Sequence, residues 1–336
     1  MSAPEPTPAA TAPAPARPGA PRETPEPLYA VDLITFYHPE FWGLASYDEL
    51  VAKTAAEPRW FWDRCLDALE EAGVPGLEMT FPPGDRHSAV AAYGSPEGFA
   101  EALAARGLTL VSGFFADIDR TEWRTAEGRA AILRSAAEYA EFVARAGGSV
   151  LVAGLPLRRT VGAQPAQFVD MATAGPLADL ANEIGDATLR HGVRLALHTE
   201  AHSMLATGRD VDLFMLLTDP MYVGLCPDTA HLTLSGADPV QVVSRHRERI
   251  VLAHWKDALG RAPMDVEIDE QIYAAHGPYF CPLGSGVVDW FGWARLMREI
   301  GFTAPTLLEL DMVPDPVAEM QAARRFVSTS LAPLYM

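Results

Sequence analysis

Val193-Arg194-Leu195-Ala196-Leu197-His198-Thr199-Glu200-Ala201-His202 begins as a short β-prone apolar run and ends in ligand-type side chains, with Gly192 directly before it. The same plan returns three times. Tyr222–Cys226 leads into Asp228-Thr229-Ala230-His231, Ile250–His254 into Trp255-Lys256-Asp257, and Pro305–Leu310 carries Glu309 just ahead of Asp311. Working back toward the N-terminus, Tyr29–Phe36, Gly76–Met79, Leu108–Phe114 and Ser149–Ala153 read as four further strands. The segments between them have helical spacing. Trp62, Cys65, Leu66 and Leu69 share one face, as do Ile132, Leu133, Ala136, Tyr139, Ala140 and Val143. Gly73, Gly107, Gly147, Gly148, Gly192 and Gly301 stand where a helix should stop before the next strand. Strand and helix in alternation predict an α/β fold built of βαβ units. A doubly wound open sheet would also alternate, but no GxGxxG or GxxxxGK[ST] loop follows an early strand. Eight units therefore predict closure into a (β/α)8 TIM barrel.

With 336 residues, 49% of them hydrophobic, the chain can fill one barrel core, and a single domain over residues 28–336 is expected. Residues 1–27 are Ala, Pro, Thr and Glu with little to bury, which predicts a disordered tail. Cys65, Cys226 and Cys281 are odd in number and far apart, so neither a disulfide framework nor a thiolate metal site is expected. A formal charge of -18 without a basic run excludes a phosphate-backbone partner. No apolar run reaches the roughly 18 residues of a membrane span, and the N-terminus lacks a secretory h-region. The expectation is a soluble, cytoplasmic protein with a small-molecule substrate.

In a barrel the C-terminal strand ends meet at one mouth, and alternate residues of a strand point the same way. Glu200, Asp228, His254 and Glu309 can then surround one point. Three carboxylates and an imidazole suit a divalent cation, Mn2+ first, with Mg2+, Co2+ and Zn2+ compatible. Strand five leaves an alternative open, because His198, Glu200 and His202 share parity; Glu200 is preferred as ligand for its charge, leaving His198 and His202 for substrate contact or proton transfer. His231 is read as a fifth ligand or an orienting group. Lys256 shares the inward face with His254 and is read as a substrate contact, against an ion pair with Asp257 or Glu309. Glu78, at the end of strand two, is a candidate second acid or base. Trp42, in Tyr37-His38-Pro39-Glu40-Phe41-Trp42, is a candidate stacking wall, with packing of the barrel top as the rival reading. The segment Ala258–Gly286 is long for a barrel connection and rich in aromatics, including Tyr279, which predicts a lid or binding loop.

These residues resemble the xylose-isomerase-like TIM barrels, a family that includes sugar-phosphate isomerases and epimerases and the inosose dehydratases. Asp228-Thr229-Ala230-His231 is similar to the family's D-x-x-H, His254-Trp255-Lys256-Asp257 to its H-x-K-D, and Glu309-Leu310-Asp311 to its E-x-D. The stretch from Tyr279 to Asp289 resembles the F-x-P-x-G-x-G-x-x-D loop of the dehydratase branch, while His198 stands where the isomerases usually have Glu. The resemblance runs from about Tyr29 to the C-terminus. It implies a metal-dependent isomerase, epimerase or lyase acting on a keto-sugar or keto-polyol. A cation holding neighbouring carbonyl and hydroxyl oxygens would stabilise an enediolate once Glu309 or a strand-five histidine takes the adjacent proton. The chain also resembles the barrel subunits of C-glycoside-cleaving enzymes, which act on 3-oxo-glycosides with a small partner subunit; a homo-oligomer is the other assembly considered. A non-catalytic metal-binding partner protein is the rival of another class. An endonuclease of related fold needs more histidines and a basic surface, which the sequence does not offer.

Overall fold

A computed structural model of the chain describes residues 27–161 and 169–335. Eight parallel strands form one sheet: β1 (Tyr29–Asp32), β2 (Gly76–Met79), β3 (Thr109–Phe115), β4 (Val150–Gly154), β5 (Arg194–His198), β6 (Val223–Cys226), β7 (His254–Trp255) and β8 (Thr306–Leu308). Neighbours follow chain order from β1 to β6; β1 pairs on its other side with β8, and β8 with β7. Isolated parallel bridges, Leu225 to Ile250 and Asp228 to His254, join β6 to β7 and close the barrel. The (β/α)8 TIM barrel read from the sequence is the fold. The expected tail, residues 1–27, lies outside the described residues apart from Pro27.

Strand alternation sorts side chains into two cores. Val31, Leu151, Ala153, Leu195, Leu197, Leu225 and Leu308 belong to the large core shared with the helices. Ala30, Val150, Val152, Ala196, Cys226, Leu252 and Leu307 pack as a separate cluster inside the barrel. Two residues on from Ala30, Ala196, Cys226, Leu252 and Leu307 come Asp32, His198, Asp228, His254 and Glu309, so period-two geometry stacks these polar groups on the apolar plug.

The outer helices follow the expected faces. Helix Pro58–Ala72 buries Trp62, Cys65, Leu66 and Leu69, and helix Ala126–Arg145 buries Ile132, Ala136, Tyr139, Ala140 and Val143. Each large side chain so covered contributes about 1.5–3 kcal/mol. Gly73 ends the first of these helices at φ 66°, a left-handed conformation in which a Cβ would be strained.

Most strands begin or end within two residues of expectation, and two differ by more. β1 ends at Asp32, not Phe36, because the Asp32 carboxylate accepts the Ile34 N–H at 2.7 Å and starts a 3-10 turn over Leu33–Phe36. β7 is only His254–Trp255. Leu225 and Pro227 turn their carbonyls toward Val251 and His254, but Pro227 has no N–H to return, which interrupts the ladder. The segment Ala258–Gly286 is less irregular than its sequence suggests. It holds a helix at Ile272–His276, a 3-10 turn at Gly277–Tyr279, and Phe280–Cys281 paired antiparallel with Asp257–Ala258.

Candidate metal centre

His198 ends β5, Asp228 follows β6, His254 opens β7 and Glu309 follows β8. One donor atom from each lies within 4.8 Å of the others, and all four residues are buried. His198 Nε2 stands 3.8 Å from Asp228 Oδ2. His254 Nδ1 stands 4.0 Å from the same oxygen and 2.5 Å from Glu309 Oε2. Asp228 caps helix Thr229–Leu234 by accepting the His231 N–H on Oδ1 at 2.7 Å, which leaves Oδ2 for the centre. That Oδ2 and both ring nitrogens of His198 are buried without a hydrogen-bond partner. Burying such atoms unpaired costs about 1–3 kcal/mol each, and native structures rarely do it. Of these, His198 Nε2 and Asp228 Oδ2 face each other beside two further donors and fit the coordination of a divalent cation, which needs lone pairs left free of other bonds, while His198 Nδ1 turns toward Glu200.

Charge agrees with this fit. Glu200, Asp228, Glu309 and Asp311 crowd around Lys256, and Asp32 and Glu78 lie deeper, against His254. The Lys256 ammonium lies 2.7 Å from both Glu309 Oε1 and Asp311 Oδ2 and 3.8 Å above the Phe280 ring. Burial disfavours its charge, but Asp311, Glu309 and Asp228 outweigh that and hold its pKa above the usual lysine value. Burial likewise works against the Glu309 carboxylate, yet Lys256 and His254 hold its pKa well below the usual range. Asp311 is pushed up to about 7, chiefly by burial.

The sequence reading preferred Glu200 to His198 on strand five. In the structure His198 belongs to the converging four, and Glu200 sits to one side. Its carboxylate is 3.9 Å from His198 Nδ1 and leans over Gly154 at the end of β4. Burial pushes the Glu200 carboxyl up to about 8. His231 accepts the Ala201 N–H on Nδ1 at 3.2 Å, and its Nε2 lies 3.4 Å from Lys256 Nζ. Burial, then Lys256, holds its pKa well below the usual value. His202 is outside the four. Its Nδ1 pairs with His276 Nε2 at 2.8 Å and its Nε2 donates to the Pro263 carbonyl at 3.0 Å, tying the 258–286 segment to the β5 loop.

Glu78 is fully buried beneath His254. Its Oε2 accepts the Ser112 hydroxyl at 2.6 Å, and its Oε1 approaches His254 Nε2 to 3.0 Å. Asp32, Glu78 and His254 form a second close group of possible donors. Trp42 lies away from these groups, in an aromatic stack with Phe61 at 5.0 Å, and its Nε1 donates to the Phe36 carbonyl at 2.6 Å. Tyr279 packs against the small cluster of Ala201, Ala230, Leu234, Ala258 and Ala262 and lines a surface hollow with Arg261, Pro263 and Met264. Lys256 does not pair with Asp257. The Asp257 carboxylate turns away and takes five N–H donors, from Ala258, Gly284, Gly286, Val288 and the Trp290 indole. Sequence reasoning gave no role to Asp32 or Ser112, and named Asp257 and His276 only as part of a motif and of the 258–286 segment. Asp32 and Ser112 were hidden inside expected strands. Asp257 had a signal, since Gly284 and Gly286 are small residues whose N–H groups need a buried acceptor.

A family model described as xylose isomerase-like TIM barrel matches residues 66–329. An inosose dehydratase of Geobacillus thermodenitrificans is 23% identical over 279 residues, covering 79% of this chain and 88% of the relative. An inosose dehydratase of Lacticaseibacillus casei is 26% identical over 161 residues, covering 46% of this chain and 54% of the relative. The chain thus spans about half the length of that relative. Among solved structures, the IOLI protein with a binding zinc atom superposes with a TM-score of 0.68 at 15% identity, over 92% of this chain and 99% of the other, a likeness of fold.

Proposed function

The chain belongs to the xylose isomerase-like TIM-barrel family, and from that premise we propose that it is an enzyme holding one divalent cation through His198, Asp228, His254 and Glu309 and acting on a keto-sugar or keto-polyol. The observation that carries this is the pair of orphaned buried atoms, His198 Nε2 and Asp228 Oδ2, set beside His254 and Glu309. Two imidazoles and two carboxylates move the metal preference away from Mg2+ toward Mn2+, Co2+ or Zn2+. When bound, the cation would supply Lewis-acid polarisation of a carbonyl, lowering the cost of charge on its oxygen.

The surrounding residues divide the proton work. Glu309 is held ionised by Lys256 and His254, which suits a ligand better than a base. The carboxyl of Glu200, pushed up to about 8, keeps a proton near neutrality, beside His198 and facing the mouth. It is placed to protonate a departing hydroxyl, which favours a dehydratase-type elimination over isomerisation; the names of the sequence relatives support the same choice. Asp311, pushed up to about 7 and held on Lys256, is the second proton carrier: in its ionised form it takes the proton that leaves the carbon. Lys256 offers fixed positive charge to the oxygen that gains charge as the adjacent carbon loses its proton. The test is Glu200→Gln, assayed with keto-polyols in deuterium oxide. The expected variant keeps its metal and exchanges the substrate's α-proton, but loses product formation. Loss of metal together with exchange would return Glu200 to the ligand set and refute the acid role.

A further inference from the structure

Glu78 was read from sequence as an acid or base, but it has no exposed surface, so no substrate reaches it. What it does touch is a ligand. His254 presents Nδ1 to Glu309 and Asp228, and Nε2 to Glu78 Oε1. A neutral imidazole carries one N–H, and that proton must leave one nitrogen to coordinate. Glu78 Oε2 is already taken by the Ser112 hydroxyl; Oε1 and the facing His254 Nε2, 3.0 Å apart, are both buried without a hydrogen-bond partner. A proton on Nε2 satisfies Glu78 and frees the Nδ1 lone pair. A proton on Nδ1 instead is donated to Glu309 Oε2 at 2.5 Å, which ties up two of the four donors, and leaves Nε2 and Oε1 facing as two acceptors at 3.0 Å.

We propose that Glu78, held by Ser112, is the positioning residue that fixes the His254 tautomer with Nδ1 toward the cation. This rests on the metal-centre reading above and adds a specific claim: metal affinity depends on a side chain that never contacts the metal. Outer carboxylates of this kind are worth about 10–100-fold in affinity. Asp32, the third member of the buried group, is committed to the Ile34 N–H and serves the β1 turn.

The experiment uses the full chain, stripped of metal and titrated with Co2+, read by calorimetry and by the visible Co2+ absorption, with melting of the metal-free protein as control. Wild type should bind one Co2+. Glu78→Leu, which removes the acceptor, should weaken Kd by about 10–100-fold and alter the absorption band. Glu78→Gln, which keeps an acceptor oxygen, should recover most of that loss, and Ser112→Ala should show a smaller weakening than the Leu variant. Should the Leu variant fail to fold, the Gln and Ser112→Ala variants still have to show weakened binding at unchanged melting of the metal-free chain. Wild-type affinity and absorption in every folded variant overturn the proposal. So does binding of two Co2+ by wild type and one by Glu78→Leu, which would give Asp32, Glu78 and His254 a cation of their own. No Co2+ bound by wild type removes the metal-centre reading itself, a result distinct from either.

Discussion

Replacing Asp257 by Asn should loosen the 258–286 segment without touching the four proposed metal donors. Oδ2 accepts from the Gly284 N–H at 2.9 Å, the Gly286 N–H at 3.0 Å and the Trp290 indole at 2.8 Å; Oδ1 accepts from the Ala258 N–H at 2.8 Å and the Val288 N–H at 3.4 Å. An Asn amide must put its NH2 where one oxygen was. The less harmful orientation replaces Oδ1, orphans the Ala258 and Val288 donors and sets donor against donor. At about 1–3 kcal/mol per orphaned buried donor, with the long Val288 bond counting least, the loss is about 2–4 kcal/mol. For a chain of this size each kcal/mol moves Tm by about 2 °C, so the variant should melt about 4–8 °C lower. Asp257→Ala orphans all the donors and should lose more. Thermal melting followed by circular dichroism reads the first effect, and limited proteolysis between residues 258 and 286 reads the second. A variant that melts with wild type, or is cleaved only outside that segment, would refute the view that this carboxylate anchors the loop.

Two further outcomes follow from the packing. Trp42→Ala should destabilise the fold by about 3–5 kcal/mol, as expected for a buried Trp in an aromatic core, measured by urea denaturation; an unchanged midpoint with a raised KM would instead make Trp42 a substrate wall. The His276 pKa is held down at about 3 by burial, then by His202 and Lys256, against about 6.5 when unfolded. Because the folded value is the lower one, its contribution is complete above about pH 6.5 and is lost as pH falls toward 3. His276→Gln should therefore show a melting deficit that narrows between pH 7 and pH 4; a deficit constant across that range contradicts the titration.

Much of the barrel was legible because its signals are local. Gly73 and Gly192 punctuate helices through backbone conformation, and the apolar faces of Pro58–Ala72 and Ala126–Arg145 need no knowledge of their neighbours. Strand ends were less legible, because they depend on partners. Asp32 stops β1 through a side-chain bond to Ile34, and Pro227 thins the β6–β7 pairing from the opposite strand. The candidate metal-centre positions on β6, β7 and β8 stand out as residues two past an inward apolar one. On strand five the same rule offers both His198 and Glu200. What separates them is the turn after β5, where the Glu200 N–H bonds the Leu205 carbonyl and its carboxylate leans toward Gly154. That is a tertiary fact with no sequence signature. Glu78 illustrates the opposite limit: its residue type was conspicuous, but only its burial under His254 distinguishes an orienting carboxylate from a catalytic one.

The most direct measurement is metal content. Full-length protein, purified without chelator and dialysed, should contain one divalent ion per chain by elemental analysis, and His198→Ala and Asp228→Ala should each lose it while remaining folded. An empty wild-type protein that also takes up no Mn2+, Co2+ or Zn2+ on titration, or a His198→Ala, Asp228→Ala double variant that retains a full equivalent, would contradict the shared-cation centre.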